Sequence, residues 1–334
     1  MTHQLTTDAY IEGIRSRDRA VLGRAITLVE SNRPDHRSQA QELLTALLRD
    51  TGGARRVGIS GVPGVGKSTF IERFGCGLID SGHRVAVLTV DPTSSVTRGS
   101  ILGDKTRMER LAGRDEAFIR PSPTGGSLGG VTRKTRETIL VCEAAGYDVV
   151  MVETVGVGQA ETVVADMVDF FLLLMLTGGG DELQGIKRGI LELADLVAIN
   201  KADGDNLAAA QRDRAELEHA LEILRPASRD TVWSPPVVTA SGATGDGLDR
   251  IWELIEEHHR VMSDAGAFDE RRRRQLLRWT WSMVDEGLLA AVREHPEIAG
   301  ALPGLERDVL EGRMTPTSAA ETILRAFGIR DQES

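Results

Sequence analysis

The glycine-rich stretch at residues 61–69 constrains the fold of this chain more than any other part of the sequence. It matches the pattern G-x-x-x-x-G-K-[ST] at every fixed position, and its glycines let successive backbone N–H groups turn toward a bound phosphate. An apolar run at 57–60 precedes the stretch, and apolar residues at helical spacing follow it to residue 80. The pattern predicts a strand, a phosphate-binding loop, and a helix whose N-terminus faces the anion.

This loop predicts a nucleoside triphosphate as the ligand. Lys67 is expected to reach the β and γ phosphates and to be catalytic, and the hydroxyl of Ser68 is expected to bind Mg²⁺. The residues predicted to surround the phosphates are Gly61, Val62, Pro63, Gly64, Val65, Gly66, Lys67, Ser68 and Thr69.

The rest of the chain predicts an α/β fold of the P-loop NTPase type, with a doubly wound and mainly parallel sheet. Six short apolar runs alternate with longer amphipathic stretches, as expected for strands covered on both faces. They lie at 57–60, 85–90, 149–152, 170–176, 196–199 and 237–239. Three regions are predicted: a helical N-terminal extension (1–50), the nucleotide domain (51–264), and a helical C-terminal arm (265–334) with helices at 269–293 and 317–327.

Composition excludes several classes of function. The net charge of −10 argues against general nucleic-acid binding, which depends on clustered lysines and arginines. The arginine tract at 271–274 is therefore interpreted as a solvated helix face or an ion-paired dimer contact. The most apolar run, 170–176, is too short to cross a bilayer, and the polar N-terminus does not resemble a signal peptide. We expect a cytoplasmic protein that binds neither membrane nor nucleic acid.

A second motif selects the base. Asn200, Lys201 and Asp203 form the pattern N-K-x-D directly after the apolar run at 196–199. The carboxylate of Asp203 can accept two hydrogen bonds from guanine, a donor pair that adenine lacks. GTP and GDP are therefore the expected ligands. The residues that follow the last predicted strand are expected to reach the guanine oxygen, although an ordinary turn remains an alternative; they are Ala240, Ser241 and Gly242.

Acidic residues after the predicted strands indicate a magnesium site. Asp91, Asp104 and Glu153 are placed where carboxylates could hold Mg²⁺ beside Ser68, and Glu153 is also a predicted catalytic residue. Glu153 begins a sequence similar to the D-x-x-G switch, in which the N–H of Gly156 would contact the γ-phosphate. Val157 occupies the position at which related enzymes orient water with glutamine. We therefore expect slow intrinsic GTP hydrolysis that a partner accelerates.

Taken together, the motifs strongly resemble the MeaB/ArgK family, a group of SIMIBI-class P-loop GTPases described as chaperones of methylmalonyl-CoA mutase. Besides the two loops, the resemblance rests on the sequences at 90–95, 99–108, 118–123, 152–159 and 180–187. It covers about residues 10–260 and is looser in the arm. It implies a homodimer paired through the arm, and GTP-gated loading of adenosylcobalamin into a mutase that the chaperone also protects from inactivation.

The resemblance also implies an additional switch at residues 177–188, in which Lys187 would promote stimulated hydrolysis. A surface loop with a solvated lysine is the alternative. One departure from the usual GTPase pattern occurs at Gly242, where alanine is common.

Two other functions remain open. A nickel metallochaperone would need clustered histidines or cysteines, whereas the only adjacent histidines, His258 and His259, are expected to face different directions. A kinase that transfers the γ-phosphate to a small or protein substrate would need an acceptor pocket and a base. The sequence neither identifies nor excludes that pocket.

Overall fold

Seven parallel strands form the sheet, in the order β3–β2–β4–β1–β5–β6–β7. The computed structural model describes residues 5–90, 108–121, 128–154, 160–178, 188–224 and 232–329. The strands are β1 (Arg55–Gly61), β2 (Val85–Val90), β3 (Ala117–Arg120), β4 (Val149–Thr154), β5 (Phe170–Met175), β6 (Leu196–Ile199) and β7 (Val237–Thr239). The predicted parallel α/β fold is confirmed.

Six of the strands correspond to the predicted apolar runs, and β3 does not. Strand β3 has four residues and lies at the edge of the sheet beside β2. Its Phe118 and Arg120 are only partly buried, so the strand lacks the continuous apolar run that marks a central parallel strand.

Helices cover both faces of the sheet. In the first part of the chain they are α1 (Thr7–Arg15), α2 (Arg19–Val29), α3 (Pro34–Leu47), α4 (Lys67–Asp80), α5 (Glu109–Ala112), α6 (Leu128–Ala144), α7 (Ala160–Ala165), α8 (Arg188–Leu191), α9 (Leu207–Leu224) and α10 (Leu248–Asp264). Alternate residues of β5 enter different cores: Phe171 packs in one, and Phe170 and Leu172 pack in the other. This alternation is the side-chain pattern of a strand buried on both faces.

The N-terminal helices share one of these cores with the sheet. Tyr10 and Ile14 belong to the same buried cluster as Leu88 of β2 and Val152 of β4. Helix α1 ends at Arg15, and Arg17, which follows it, has a φ of 65°. The carboxylate of Asp18 then caps α2 by accepting hydrogen bonds from two backbone N–H groups, at 2.8 and 3.1 Å. The sequence pattern indicates a break only at Pro34.

The chain forms two compact units, residues 1–275 and 276–334. The boundary lies inside the long helix α11 (Ala267–Glu294), about ten residues beyond the predicted start of the arm. The first part of α11 belongs to the first unit because its side chains bind the amino ends of the strands. Gln275 is buried, and its side-chain amide donates to Val168 O at 2.8 Å.

Two arginines of the 271–274 tract form ion pairs within the chain. Arg271 binds both carboxylate oxygens of Asp195, at 3.1 and 3.0 Å, and Arg272 binds both of Asp169, at 2.8 and 2.7 Å. Asp169 and Asp195 directly precede β5 and β6. The interpretation of the whole tract as a solvated face or a dimer contact is therefore wrong for these two arginines.

The second unit contains the rest of α11 together with α12 (Pro296–Leu310) and α13 (Pro316–Ala326). The sequence does not predict helix α12, because Pro303 lies inside it and prolines usually interrupt helices. Ile298 and Ala319 are the buried apolar residues of this unit. Among the described residues, no helix has both the length and the apolar character needed to cross a membrane.

Candidate nucleotide-binding site

The phosphate-binding loop joins β1 to α4 at the carboxyl edge of the sheet, as predicted. Gly61 has a φ of 152°, and a Cβ there would lie 2.4 Å from Leu174 O of the neighbouring strand. Gly66 caps α4 in the left-handed region, with a φ of 94°. A side chain at either position would force the loop away from its neighbours. The loop therefore holds its backbone against β5 and directs the N-terminus of α4 toward the expected phosphates.

Lys67 folds back onto this loop. Its ammonium donates to Gly61 O at 2.7 Å and to Val62 O at 3.4 Å. Burial lowers the pKa of Lys67, and the negative charges of Glu153 and Glu161 oppose that shift. Glu161, in the first turn of α7, is 1% exposed. The sequence does not single out Glu161, because the only local signal for it is a charged residue among apolar ones.

Ser68 and Glu153 meet as the magnesium prediction requires. The Ser68 hydroxyl donates to Glu153 Oε1 at 3.1 Å, and Glu153 is buried in β4 between β1 and β2. The next residue, Thr154, donates through its hydroxyl to Ser60 Oγ at 2.9 Å. The oxygens of Ser68 and Glu153 thus face each other at the start of α4, and hard cations such as Mg²⁺ prefer oxygen ligands.

The N-K-x-D residues connect the base-binding side to the phosphate loop. The side-chain amide of Asn200 donates to Val65 O at 2.8 Å, and its oxygen accepts from Gly242 N at 3.0 Å. Lys201, which has a φ of 59°, donates to Gly64 O at 2.8 Å. Buried Asn200 therefore ties both loops together with one side chain.

Asp203 and Ser241 are also brought together. The Ser241 hydroxyl donates to Asp203 Oδ2 and accepts from the N–H groups of Ala243 and Thr244, at 3.2 and 3.1 Å. Ala240 continues the sheet pattern, since its N–H donates to Ile199 O at 2.9 Å. Ser241 holds the carboxylate of Asp203 by one oxygen and so orients it for a planar partner.

The departure at Gly242 has a physical cause. A Cβ on Gly242 would lie 2.8 Å from Phe70 Cα and 2.9 Å from Phe70 N. These are backbone atoms in the first turn of α4 and cannot move aside as a flexible side chain can. The base-binding loop thus packs directly on the helix that follows the phosphate loop, and glycine is the residue that fits.

Four of the predicted site residues lie outside the described residues: Asp91, Asp104, Gly156 and Lys187. The described ones among the predicted residues lie at or directly after the carboxyl ends of β1, β4, β6 and β7, or in the first turn of α4. Within the described ranges there is no group of three or more histidines, cysteines or acidic residues positioned for a metal ion.

The adjacent histidines belong to the packing of α10. His258 is 2% exposed, and its ring lies edge-on to Phe170 and Trp233 at centroid distances of 5.0 and 5.1 Å. His259 instead packs against Phe268 at 4.5 Å. The two rings have different neighbours, as expected for consecutive helical positions.

The sequence model of the family described as "Methylmalonyl Co-A mutase-associated GTPase MeaB" matches residues 22–297. The chain belongs to the MeaB family. As a member of this GTPase family it is a GTPase that binds guanine nucleotides, in agreement with the guanine specificity expected from Asn200 and Asp203.

Several relatives of this MeaB-family chain are similar over nearly its whole length. A putative GTPase of Caulobacter vibrioides is 57% identical, covering 98% of the chain and 100% of the relative. A mitochondrial methylmalonic aciduria type A homolog of Mus musculus is 48% identical, covering 98% and 81%. GTPase ArgK of Escherichia coli is 48% identical, covering 86% and 87%.

Among solved structures, one described as a LAO/AO transport system kinase has the same fold. The TM-score is 0.77 and the identity 36%, with 98% of the MeaB-family chain and 100% of the other chain covered. The expected MeaB/ArgK resemblance is thereby confirmed at the level of sequence family and fold.

Proposed function

We propose that this GTPase is a chaperone of methylmalonyl-CoA mutase or of a closely related acyl-CoA mutase. In this role it gates the loading of adenosylcobalamin and protects the mutase from inactivation. The observation that supports its GTP-binding part is the Asn200 bridge between Val65 O and Gly242 N, which joins the two loops proposed to bind guanine nucleotide. The mutase as partner is supported by the family description and by the name of the mouse relative.

In the proposed reaction, Lys67 exchanges the carbonyl oxygens of Gly61 and Val62 for β and γ phosphate oxygens. Glu153 and Glu161 help to keep its ammonium charged despite burial. Ser68 and Glu153 would hold Mg²⁺, directly or through water, and Asp91 and Asp104 are proposed to complete the site. When bound, Mg²⁺ neutralises part of the phosphate charge as the γ-phosphate leaves.

The remaining proposed roles concern timing. Gly156 is proposed to contact the γ-phosphate, and Lys187 to promote hydrolysis when the mutase is bound. A lone chain would then hydrolyse GTP slowly, because no glutamine follows Gly156 directly.

We further propose that the protein is a homodimer paired through its C-terminal arm. Helix α11 exposes Leu277, Trp281, Val284 and Leu288, with exposures of 63, 66, 40 and 52%. Their spacing of four, three and four residues is the pattern of helices that pair side by side. A second copy would cover this stripe with the same stripe, as a two-fold interface requires.

The test is GTP turnover with and without purified methylmalonyl-CoA mutase and adenosylcobalamin. We expect turnover below about 1 per second alone and at least about tenfold faster with the mutase, while ATP in place of GTP gives neither. The control partner is an acyl-CoA enzyme without cobalamin. Absence of stimulation would refute the chaperone role, and transfer of the γ-phosphate to another molecule would favour a kinase.

A further inference from the structure

Two buried hydroxyl groups connect the carboxyl ends of β1 and β4. The Thr154 hydroxyl donates to Ser60 Oγ at 2.9 Å, and neither side chain is more than 1% exposed. Burying a hydroxyl group costs free energy unless it is hydrogen-bonded, and a pair of apolar side chains of the same shape would be about as stable. The stability of the sheet therefore gives little reason for a hydroxyl pair at this place.

The backbone pairing of β1 with β4 ends just before this hydroxyl pair. The last paired residues are Ile59 of β1 and Glu153 of β4. One position further, the backbone of Ser60 pairs with β5, and that of Thr154 pairs with β2. The bond between Thr154 and Ser60 thus extends the contact of β1 with β4 by one position, through side chains.

Each of the two residues adjoins one half of the proposed magnesium site. Thr154 directly follows Glu153, and Ser60 directly precedes the phosphate-binding loop, which leads to Ser68 in α4. Side chains alternate along a strand, so Thr154 and Glu153 point to opposite faces of the sheet, and the residues two positions before them lie in different cores. The hydroxyl pair therefore fixes the strand ends on one face, while the 3.1 Å bond between Ser68 and Glu153 lies on the other.

We propose, on the basis of the proposed magnesium site, that Thr154 and Ser60 are positioning residues for Mg²⁺. Their hydrogen bond holds the end of β4 at the distance from the phosphate-binding loop at which Glu153 and Ser68 reach the same ion. The effect of the hydroxyl pair passes through Glu153. Removing the bond then lowers the affinity for Mg²⁺ and leaves nucleotide binding without the metal almost unchanged.

The test removes the hydroxyl and keeps the shape of the side chain, by Thr154→Val, while Thr154→Ser keeps the hydroxyl. Thr138→Val is the matched control, because Thr138 is 2% exposed and its hydroxyl has no hydrogen-bond partner among the described residues. The double variant Ser60→Ala, Thr154→Val removes both hydroxyls, so its Tm is expected to lie within about 3 °C of the wild type. It keeps the test decisive if Thr154→Val alone does not fold.

The measurement is a titration of the full-length protein with a fluorescent, non-hydrolysable GTP analogue, in EDTA and in saturating Mg²⁺. The ratio of the two dissociation constants gives the factor by which Mg²⁺ strengthens nucleotide binding. Thr154→Val and the double variant are expected to lower this ratio about fivefold, equivalent to about 1 kcal/mol for one hydrogen bond. Their dissociation constants in EDTA are expected within about twofold of the wild type. Thr154→Ser and Thr138→Val are expected to keep the wild-type ratio.

A double-mutant cycle tests whether the effect passes through Glu153. Glu153→Gln is expected to lower the ratio, and adding Thr154→Val should lower it little further, because the effects of coupled residues do not add. An unchanged ratio in Thr154→Val would overturn the proposal, and so would an equal fivefold loss in the Glu153→Gln background. A wild-type ratio of one would refute the magnesium site and this inference together, whereas GTP turnover with the mutase tests the chaperone role separately.

Discussion

Replacement of Gly242 by alanine tests whether the two nucleotide loops are as tightly packed as the structure indicates. The added Cβ would lie 2.8 Å from Phe70 Cα, so the base-binding loop must move about 0.6 Å away from α4 to restore an ordinary contact of 3.4 Å. Overpacking of this kind costs about 1–3 kcal/mol. The same movement would stretch the 3.0 Å bond from Gly242 N to Asn200, which holds the guanine-binding loop in place.

Two measurements follow from this geometry. We expect Gly242→Ala to lower the Tm by about 2–6 °C and to weaken GDP binding about five- to tenfold, because one buried hydrogen bond is lengthened. Thermal denaturation and titration with a fluorescent GDP analogue give the two values.

The matched control is Gly77→Ala, the same substitution within α4. Nothing lies within 4 Å of the Cβ position at Gly77, so alanine there should stabilise the helix by up to about 1 kcal/mol. A Gly242→Ala protein that melts and binds GDP like the wild type would refute the packing argument, since alanine is common at this position in other GTPases.

Three other substitutions probe the base site, the attachment of α11 and the interior. Asp203→Asn should change the preferred substrate from GTP to XTP, because an amide can donate to the C2 oxygen of xanthine and a carboxylate cannot. A variant that hydrolyses GTP as fast as the wild type does would contradict the assignment of Asp203 to guanine. Arg272→Met should destabilise the first unit by about 3 kcal/mol, because it leaves the carboxylate of Asp169, which is 6% exposed, without its bidentate partner. The free energy of unfolding in urea measures this loss of stability. The control is Arg273→Met, since Arg273 is exposed. Lys134→Met should be neutral or stabilising at pH 7, because Lys134 is 5% exposed, has no hydrogen-bond partner among the described residues, and has a pKa lowered by burial. The unfolded chain binds the proton of Lys134 more tightly than the folded chain does. The free energy of unfolding of the wild type should therefore rise relative to that of Lys134→Met as the pH increases toward about 10.5. A difference between the two free energies that does not change with pH would count against a buried ammonium.

The sequence predicted where the two candidate nucleotide loops lie in the fold, and the binding roles of their residues stay predictions. Residues 61–69 and the N-K-x-D loop each carry a complete chemical role within a few positions, and each follows an apolar run that can only be a buried strand. Their mutual contact could not be predicted in detail, because Asn200 lies 135 residues from Val65 and 42 from Gly242. The clash that disfavours alanine at position 242 likewise depends on a tertiary contact, that of the base-binding loop with the backbone of Phe70 in α4.

Other features depended on tertiary contacts without a local pattern. The partners of Arg271 and Arg272 lie 76 and 103 residues away, so an arginine tract on a helix gave no sign that two of its members bind aspartates. Helix α12 forms despite Pro303, because helical propensity is a weak predictor against packing.

The attachment of α11 to the amino ends of β5 and β6 has a practical consequence. All the described side chains that we propose to bind the nucleotide lie at the opposite, carboxyl ends of the strands, about 20 Å away for a strand of six residues. A chain ending at Gln275 would retain both arginine–aspartate pairs and every described contact of the two nucleotide loops. If copies pair through the arm as proposed, the arm could be exchanged for another pairing helix grafted in register after Gln275. The exchange would alter the assembly of copies while the GTP-binding unit keeps its own sequence.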